Sequence, residues 1–372
     1  MKVALVCDWL TNVGGAEKVL LEMHRLFPEA PIYTSQYDPK GIDWFSDADV
    51  RTGWMQKLPI RWRRVLGPFR QRYFSHLNLS EYDLVISVTG AEAKAVKVPN
   101  GTHVSYCHVP TQYYWQMYNE YMKNPGFGVM NLLVRPFFRL FVKPLRRADL
   151  KAARRVDYFV TISDYAKDMI KKCYGREAVV IHPPVEFDDF AKACGKPVEN
   201  FYIVTSRQVN WKKIDLAVRA CEMAQRRLVV IGEGPEHKKL VKMAKGAEKI
   251  TFLPLMKKKE LASWVAKAKG YLFPSMEPFG IAPVEALAAG CPVIAFGEGG
   301  ARDYVQDGKN GLLFDEQTAK SLAEAILEFE KKKFNREKVS KTVKKFAVER
   351  FDRELLSFVK KCEKKNAKKS KK

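Results

Sequence analysis

The chain has 372 residues, 47% of them hydrophobic, and a formal net charge of +23, which is enough length for two domains with full cores. No run reaches the roughly 18 uncharged apolar residues of a spanning helix, and the stretch from Met1 to Leu10, broken by Asp8 and with no small-residue cleavage site after it, reads as a buried strand rather than a signal peptide. The seven cysteines contain no C-x-x-C pair, which argues against zinc and disulfides and for reduced core residues in a cytoplasmic protein, while the charge asks for an anionic partner: nucleic acid, acidic lipid or a phosphorylated substrate.

In chain order, residues 2–10 are expected as a strand, followed by the turn Asn12-Val13-Gly14-Gly15-Ala16-Glu17 opening a helix to about Phe27. That turn lacks the full G-x-G-x-x-G and G-x-x-x-x-G-K-[ST] patterns, so it reads either as a phosphate turn or as a tight turn without a ligand. Ile32–Ser35 is a second strand. Asp47-Ala-Asp49 is a D-x-D-like pattern, but nothing near it supplies further hard oxygen ligands, and metal catalysis is not supported. From residue 51 to 79 there is no acidic residue. Arg51, Lys57, Arg61, Arg63, Arg64, Arg70 and Arg72 are interleaved there with Trp54, Trp62, Phe69, Tyr73 and Phe74. Tyr82–Val88 and His103–His108 read as buried strands. Val109–Trp115 is then an aromatic loop at a strand C-terminus, where α/β sheets place ligands.

Residues 129–155 repeat the basic and apolar chemistry. Arg135, Arg139 and Lys143 share one helical face, with the apolar Leu132, Leu133, Phe137, Phe138, Leu140 and Phe141 expected on the other side. Such a helix suits an anionic membrane surface; a core-packed helix with a solvated basic face is the other reading. Pro136 and Pro144 are expected to interrupt it. Asp157–Ser163 is a strand leading into a helix to Cys173, and Ala178–Val185 a strand ending in prolines. Residues 186–200 read as an inter-domain linker.

The βα alternation then restarts, with strands at 201–206, 227–232 and 250–253 and helices at 213–225, 235–245 and 258–267. Gly270–Phe273 is a strand, Pro274–Gly280 a loop, and Pro283 stands where a first helical residue is favoured, with Gly290 where a helix stops. Pro292–Phe296 is the next strand, closed by Gly297-Glu298-Gly299-Gly300. Helices follow over about 317–331 and 336–361, the second broken at Phe351, and a lysine-rich disordered tail from Lys364. The whole reads as two doubly wound domains.

Several strand ends converge on one crevice edge. Ser206-Arg207 through Lys212 offers a planar fork and a point charge suited to a diphosphate. Gly232-Glu233-Gly234 and Leu253-Pro254-Leu255-Met256 end the neighbouring strands. Phe279-Gly280-Ile281-Ala282 presents backbone amides and a helix N-terminus, an anion site. Two carboxylates, Glu277 and Glu285, flank it, which suits sugar hydroxyls better than phosphate.

These residues, with Gly14-Gly15-Ala16-Glu17, Tyr106-Cys107-His108-Val109-Pro110 and the Glu277-(x)7-Glu285 spacing, resemble the family-4 retaining glycosyltransferases of GT-B fold, over essentially the whole chain. The loop after His108 and Tyr174-Gly175-Arg176 with Pro183-Pro184-Val185 resemble the branch of bacterial O-antigen and exopolysaccharide mannosyltransferases. The resemblance implies two Rossmann-like domains facing across a cleft: an N-terminal acceptor- and membrane-facing domain over 1–185, the linker, a C-terminal nucleotide-sugar domain over 201–345, a crossover helix over 346–363 returning to the first domain, and the basic tail over 364–372. It implies that Glu285 holds the ribose, Glu277 faces the donor sugar, and Arg207 and Lys212 grip the diphosphate. Backbone at Phe279, Gly280, Ile281 and Ala282 would touch sugar and phosphate, with Gly232 and Met256 beside the nucleotide. Gly14 and Gly15 would let the first domain approach the phosphate, and His108 would lie near the reaction centre. Where that branch carries an arginine and an aspartate in the loop, this chain has Gln112 and Gln116.

The function expected is a metal-independent retaining hexosyltransferase without a cofactor, with GDP-mannose the favoured donor and a UDP-sugar the alternative. The acceptor would be lipid-linked or a glycan, at the inner face of the cell membrane, with 51–79 and 129–155 docking anionic lipid. A basic nucleic-acid-binding protein is the non-enzymatic alternative, against which no nucleic-acid module appears.

Overall fold

The structure, a computed structural model, describes residues 1–60, 66–123 and 131–369, and for 133, 134, 137 and 365–369 the backbone alone. Arg61, Trp62, Arg63 and Arg64 thus lie outside the described residues. The chain divides into two units, Met1–His182 with Asp352–Lys372, and Pro183–Phe351.

In the first unit the strands are β1 (Val3–Cys7), β2 (Ile32–Thr34), β3 (Val50–Arg51), β4 (Leu84–Thr89), β5 (Thr102–Cys107), β6 (Tyr158–Thr161) and β7 (Ala178–Val180). They form one parallel sheet in the order β3-β2-β1-β4-β5-β6-β7. Every residue of β4 and β5 is buried, as a parallel strand covered on both faces requires. The helices are α1 (Gly15–Leu26), α2 (Gly67–His76), α3 (Tyr118–Lys123), α4 (Asn131–Arg155) and α5 (Asp164–Tyr174). The last is delimited as its sequence demands: Ser163 caps the Ala166 amide at its start, and Gly175 closes it in the left-handed region.

The second unit contains α6 (Phe187–Ala191), β8 (Tyr202–Thr205), α7 (Ile214–Met223), β9 (Leu228–Ile231), α8 (His237–Met243), β10 (Ile250–Leu253), α9 (Lys258–Lys267), β11 (Gly270–Phe273), α10 (Ile281–Ala288), β12 (Val293–Phe296), β13 (Gly311–Phe314), α11 (Ala319–Glu330) and α12 (Arg336–Lys341). Its parallel sheet runs β10-β9-β8-β11-β12-β13. The core on one side of this sheet is Val204, Val218, Leu272, Ile294, Leu322 and Ile326. Helix α13 (Val348–Lys369) ends the described chain.

In both sheets the strand order therefore reverses beside the first strand, between β1 and β4 and between β8 and β11. That switch point is where doubly wound sheets open a crevice at their carboxyl ends.

Four expectations are corrected. Residues 186–200 are not a bare linker: α6 packs against α9 and α10, with Phe190 2% exposed. The break in the C-terminal helices falls between α12 and α13, not at Phe351, which is buried inside α13. The expected disordered tail continues α13 as far as Lys369. Finally, Pro136 and Pro144 lie inside α4 without ending it.

Candidate functional site

The switch point of the second unit holds a solvent-open depression of about 310 Å³. Its walls come from the ends of β8 and β11 and from the start of α10, and include Thr205, Ser206, Lys212, Tyr271, Ser275 and Glu277. The loop between β11 and α10 is held from below. The Gly300 amide donates to the Glu277 carbonyl at 2.8 Å, and the Tyr304 hydroxyl donates to the Phe279 carbonyl at 2.9 Å. A Cβ on Gly300 would lie 2.3 Å from the Pro278 carbonyl oxygen, so only glycine lets the two loops touch there.

Within the depression, Lys212 Nζ lies 2.6 Å from Glu277 Oε2. The other carboxylate oxygen, Oε1, accepts from Ser275 Oγ at 2.8 Å. Gly280, Ile281 and Ala282 also line the space, and no side chain caps the α10 N-terminus, leaving its dipole end turned to the site. The floor is neutral: the Tyr271 hydroxyl donates to the Thr205 carbonyl at 3.0 Å. Burial first, then Glu277 and Glu285, push that phenol well above its ordinary range.

The other expected residues of this unit are placed differently. Arg207 is exposed, its guanidinium 5.8 Å from the Trp211 ring centre, and does not line the depression. Glu285 is half-buried on α10, and Met256 is half-buried beyond the edge strand β10; neither is part of the lining. Phe279 turns its ring into the core against Tyr304 and Phe346. Gly232 packs on the Ser206 carbonyl, in a turn tied by Gln208, whose Nε2 donates to the Gly232 carbonyl at 2.5 Å. Neither Ser275 nor Gln208 was assigned a role from sequence, although Ser275 stands two residues before Glu277 in a loop already marked as functional.

Gly14, Gly15 and His108 belong to the first unit. Gly14 is extended at φ −166, a geometry open to any residue, and Gly15 begins α1 in an exposed position. His108 Nε2 is sealed from solvent with no hydrogen-bond partner, and burial lowers its imidazole to about 4, so the ring is neutral near pH 7.

The switch point of the first unit is filled by the chain itself. Asp8, at the end of β1, accepts from Thr89 Oγ1 at 3.0 Å and from the amides of Gly90, Ala91 and Ala93 at 2.9, 3.0 and 2.7 Å. Beside it, Arg70 and Glu92 form an ion pair at 2.8 Å with exposures of 2% and 0%. Lys94 and Asp149, equally buried, pair at 2.6 Å. Asp149 also accepts from Trp115 Nε1 at 2.7 Å and from the Tyr174 hydroxyl at 2.8 Å. The aromatic loop after His108 is thus anchored through Trp115 to a carboxylate on α4. Gln116 in that loop accepts from the Tyr165 hydroxyl at 2.9 Å. This network leaves no periodic trace in sequence, because its members lie on separate elements.

Among the described residues no cluster of three metal-ligating side chains occurs, and no helix is long and apolar enough to cross a membrane.

Residues 186–346 match the family model described as "Glycosyl transferases group 1". An uncharacterized glycosyltransferase of Methanocaldococcus jannaschii is 29% identical over 196 residues, 52% of this chain and 54% of that protein. A GDP-mannose-dependent alpha-(1-6)-phosphatidylinositol monomannoside mannosyltransferase of Mycolicibacterium smegmatis is 29% identical over 207 residues, 47% of this chain and 54% of that protein. The chain thus spans about half the length of these curated relatives. Among solved structures, Anabaena HepE in complex with UDP aligns over 97% of this chain and 100% of its own at 19% identity, with a TM-score of 0.68. Sucrose-phosphate synthase of Thermosynechococcus elongatus aligns over 97% and 99% at 17% identity, with a TM-score of 0.72. With them the chain shares the GT-B fold of two parallel-sheet, Rossmann-like domains.

Proposed function

We propose that this chain is a retaining, metal-independent glycosyltransferase that moves a hexose to a lipid-linked or polysaccharide acceptor at the cytoplasmic face of the cell membrane. The observation that carries the reading is the Lys212–Glu277 pair beside the uncapped α10 N-terminus, at a switch point inside the segment that matches glycosyl transferases group 1. A cation and a helix N-terminus suit a diphosphate; a carboxylate held next to them suits sugar hydroxyls. In this reading Glu277 faces the donor sugar, Glu285 holds the ribose, and Arg207 swings from Trp211 to join Lys212 on the diphosphate. His108, its ring neutral at working pH, lies near the reaction centre. The acceptor attacks on the face the leaving group vacates.

GDP-mannose is the favoured donor, by likeness to the mycobacterial mannosyltransferase named above. A UDP-sugar is the second reading, favoured by the UDP found in HepE, a protein of the same fold. Membrane docking is supported by exposed apolar side chains among basic ones: Leu132 and Leu140 on α4, Phe69 on α2, and Trp54 ahead of it.

Thermal-shift measurements against GDP, UDP and ADP and their sugars test the reading. One base is expected to stabilise the chain by about 2.7 kcal/mol when its ligand stands at about 100 times Kd. No shift with any of them overturns it.

A further inference from the structure

The cation that the nucleotide-sugar reading assigns to the diphosphate already has an anion. Lys212 Nζ is 2.6 Å from Glu277 Oε2, and Glu277 Oε1 is held by Ser275 Oγ at 2.8 Å. Lys212 and Glu277 are only 24% and 18% exposed, and Ser275 is 1% exposed. A charge pair so shielded from water interacts more strongly than a surface pair. A diphosphate that uses Lys212 therefore has to displace the carboxylate.

We infer that Glu277 competes with the diphosphate for Lys212, and that this exchange makes the site prefer the intact nucleotide-sugar over the nucleoside diphosphate left after transfer. The inference rests on the nucleotide-sugar reading above. Displaced from Lys212, the carboxylate stays tethered by Ser275 close to the phosphates. With the sugar present, its hydroxyls donate to the freed oxygen. Once the sugar has gone, that oxygen faces phosphate without a donor, an unfavourable placement for two like charges. Glu277 then reclaims Lys212 and favours product release. Glu277 thus acts twice, on the donor sugar and on the departure of the spent nucleotide, with Ser275 as its positioning residue.

The test is calorimetric titration of the full chain with UDP, GDP and ADP and with UDP-glucose, GDP-mannose and ADP-glucose. Four proteins are compared: wild type, Glu277→Gln, Lys212→Gln and the double variant. Wild type is expected to bind one nucleotide-sugar more tightly than its diphosphate. Glu277→Gln is expected to bind the bare diphosphate about tenfold more tightly, one charge-assisted bond being worth roughly that factor, and to lose the preference for the intact donor. In the Lys212→Gln background the same change is expected to alter diphosphate affinity by less than about twofold, since the coupling partner is gone. Wild-type binding with equal or weaker diphosphate affinity in Glu277→Gln overturns the exchange alone. So does an undiminished gain without Lys212. Binding of no nucleotide by any of the four proteins overturns the nucleotide reading, and the exchange with it.

Discussion

At the scale of single residues, the site depends on a few positions that admit no substitute. Gly280 adopts φ +88, and a Cβ there would come 2.6 Å from Phe273 Cζ and 3.0 Å from the Tyr304 oxygen. Both neighbours are rings packed in the core. Gly280→Ala is expected to lower stability by about 1–3 kcal/mol through backbone strain and crowding, seen as a lower urea midpoint for the second unit; an unchanged midpoint would show that the loop relaxes freely. Lys212 and Glu277 were legible in sequence because charge at a strand end in an α/β protein has few structural uses. Arg207 was equally legible as a charge, but its rotamer is not a property of spacing. The Trp211 ring, four residues on, gives the guanidinium a face to lie over, worth about 0.5–1 kcal/mol at an exposed site, and this holds it out of the depression. The buried carboxylates Asp8 and Asp149 were hidden for the opposite reason, since each is satisfied by residues far away in the chain.

At the scale of elements, α4 shows packing overriding local preference. A proline in a helix interior costs about 3 kcal/mol, and α4 contains Pro136 and Pro144. Its second half compensates by burying Val142, Leu145, Ala152 and Ala153 and by seating Asp149 among Lys94, Trp115 and Tyr174. Both prolines face solvent. In the first half, Leu132 is 77% and Leu140 71% exposed. Rows four residues apart share a helical face, so Leu132, Pro136 and Leu140 run beside the row Arg135, Arg139, Lys143 and Arg147 rather than opposite it. Apolar and basic residues side by side give a bilayer surface both an insertion point and a charge partner. Replacing Arg139, Lys143 and Arg147 by Ser is expected to weaken sedimentation with phosphatidylserine vesicles by about 3 kcal/mol, near 1 kcal/mol per basic residue, with little change for neutral vesicles. Undiminished sedimentation would place the docking elsewhere. The alternation of strands and helices was readable over most of the chain because parallel strands buried on both faces are mostly apolar, whereas the short β3 and the strand β13 were not expected. Short elements such as α6 were not readable, since a few residues carry too little periodicity.

At the scale of the whole molecule, the chain closes its first unit with its last helix. Leu355, Val359 and Cys362 on α13 are 0%, 3% and 3% exposed, Phe358 meets the ring of Tyr158 at 6.1 Å, and Asp352 pairs with Arg25 on α1. Deleting residues 352–372 removes this apolar stripe from a unit otherwise built from the start of the chain. Each lost Leu- or Val-sized burial is worth about 1.5–3 kcal/mol, so calorimetry is expected to show the first unit melting several degrees lower, with the transition of the second unit unmoved. A joint shift of both would mean that the units unfold as one. The two sheets share a strand order but not a fate. In the first, the side chain of Asp8, just past β1, takes up the amides and hydroxyl that ring the switch point; in the second, the equivalent place stays open to solvent. A fold that repeats its architecture need not repeat its stoichiometry: Asp8 is a ligand that never dissociates, and the amides of Gly90, Ala91 and Ala93 that it occupies are closed to any other anion.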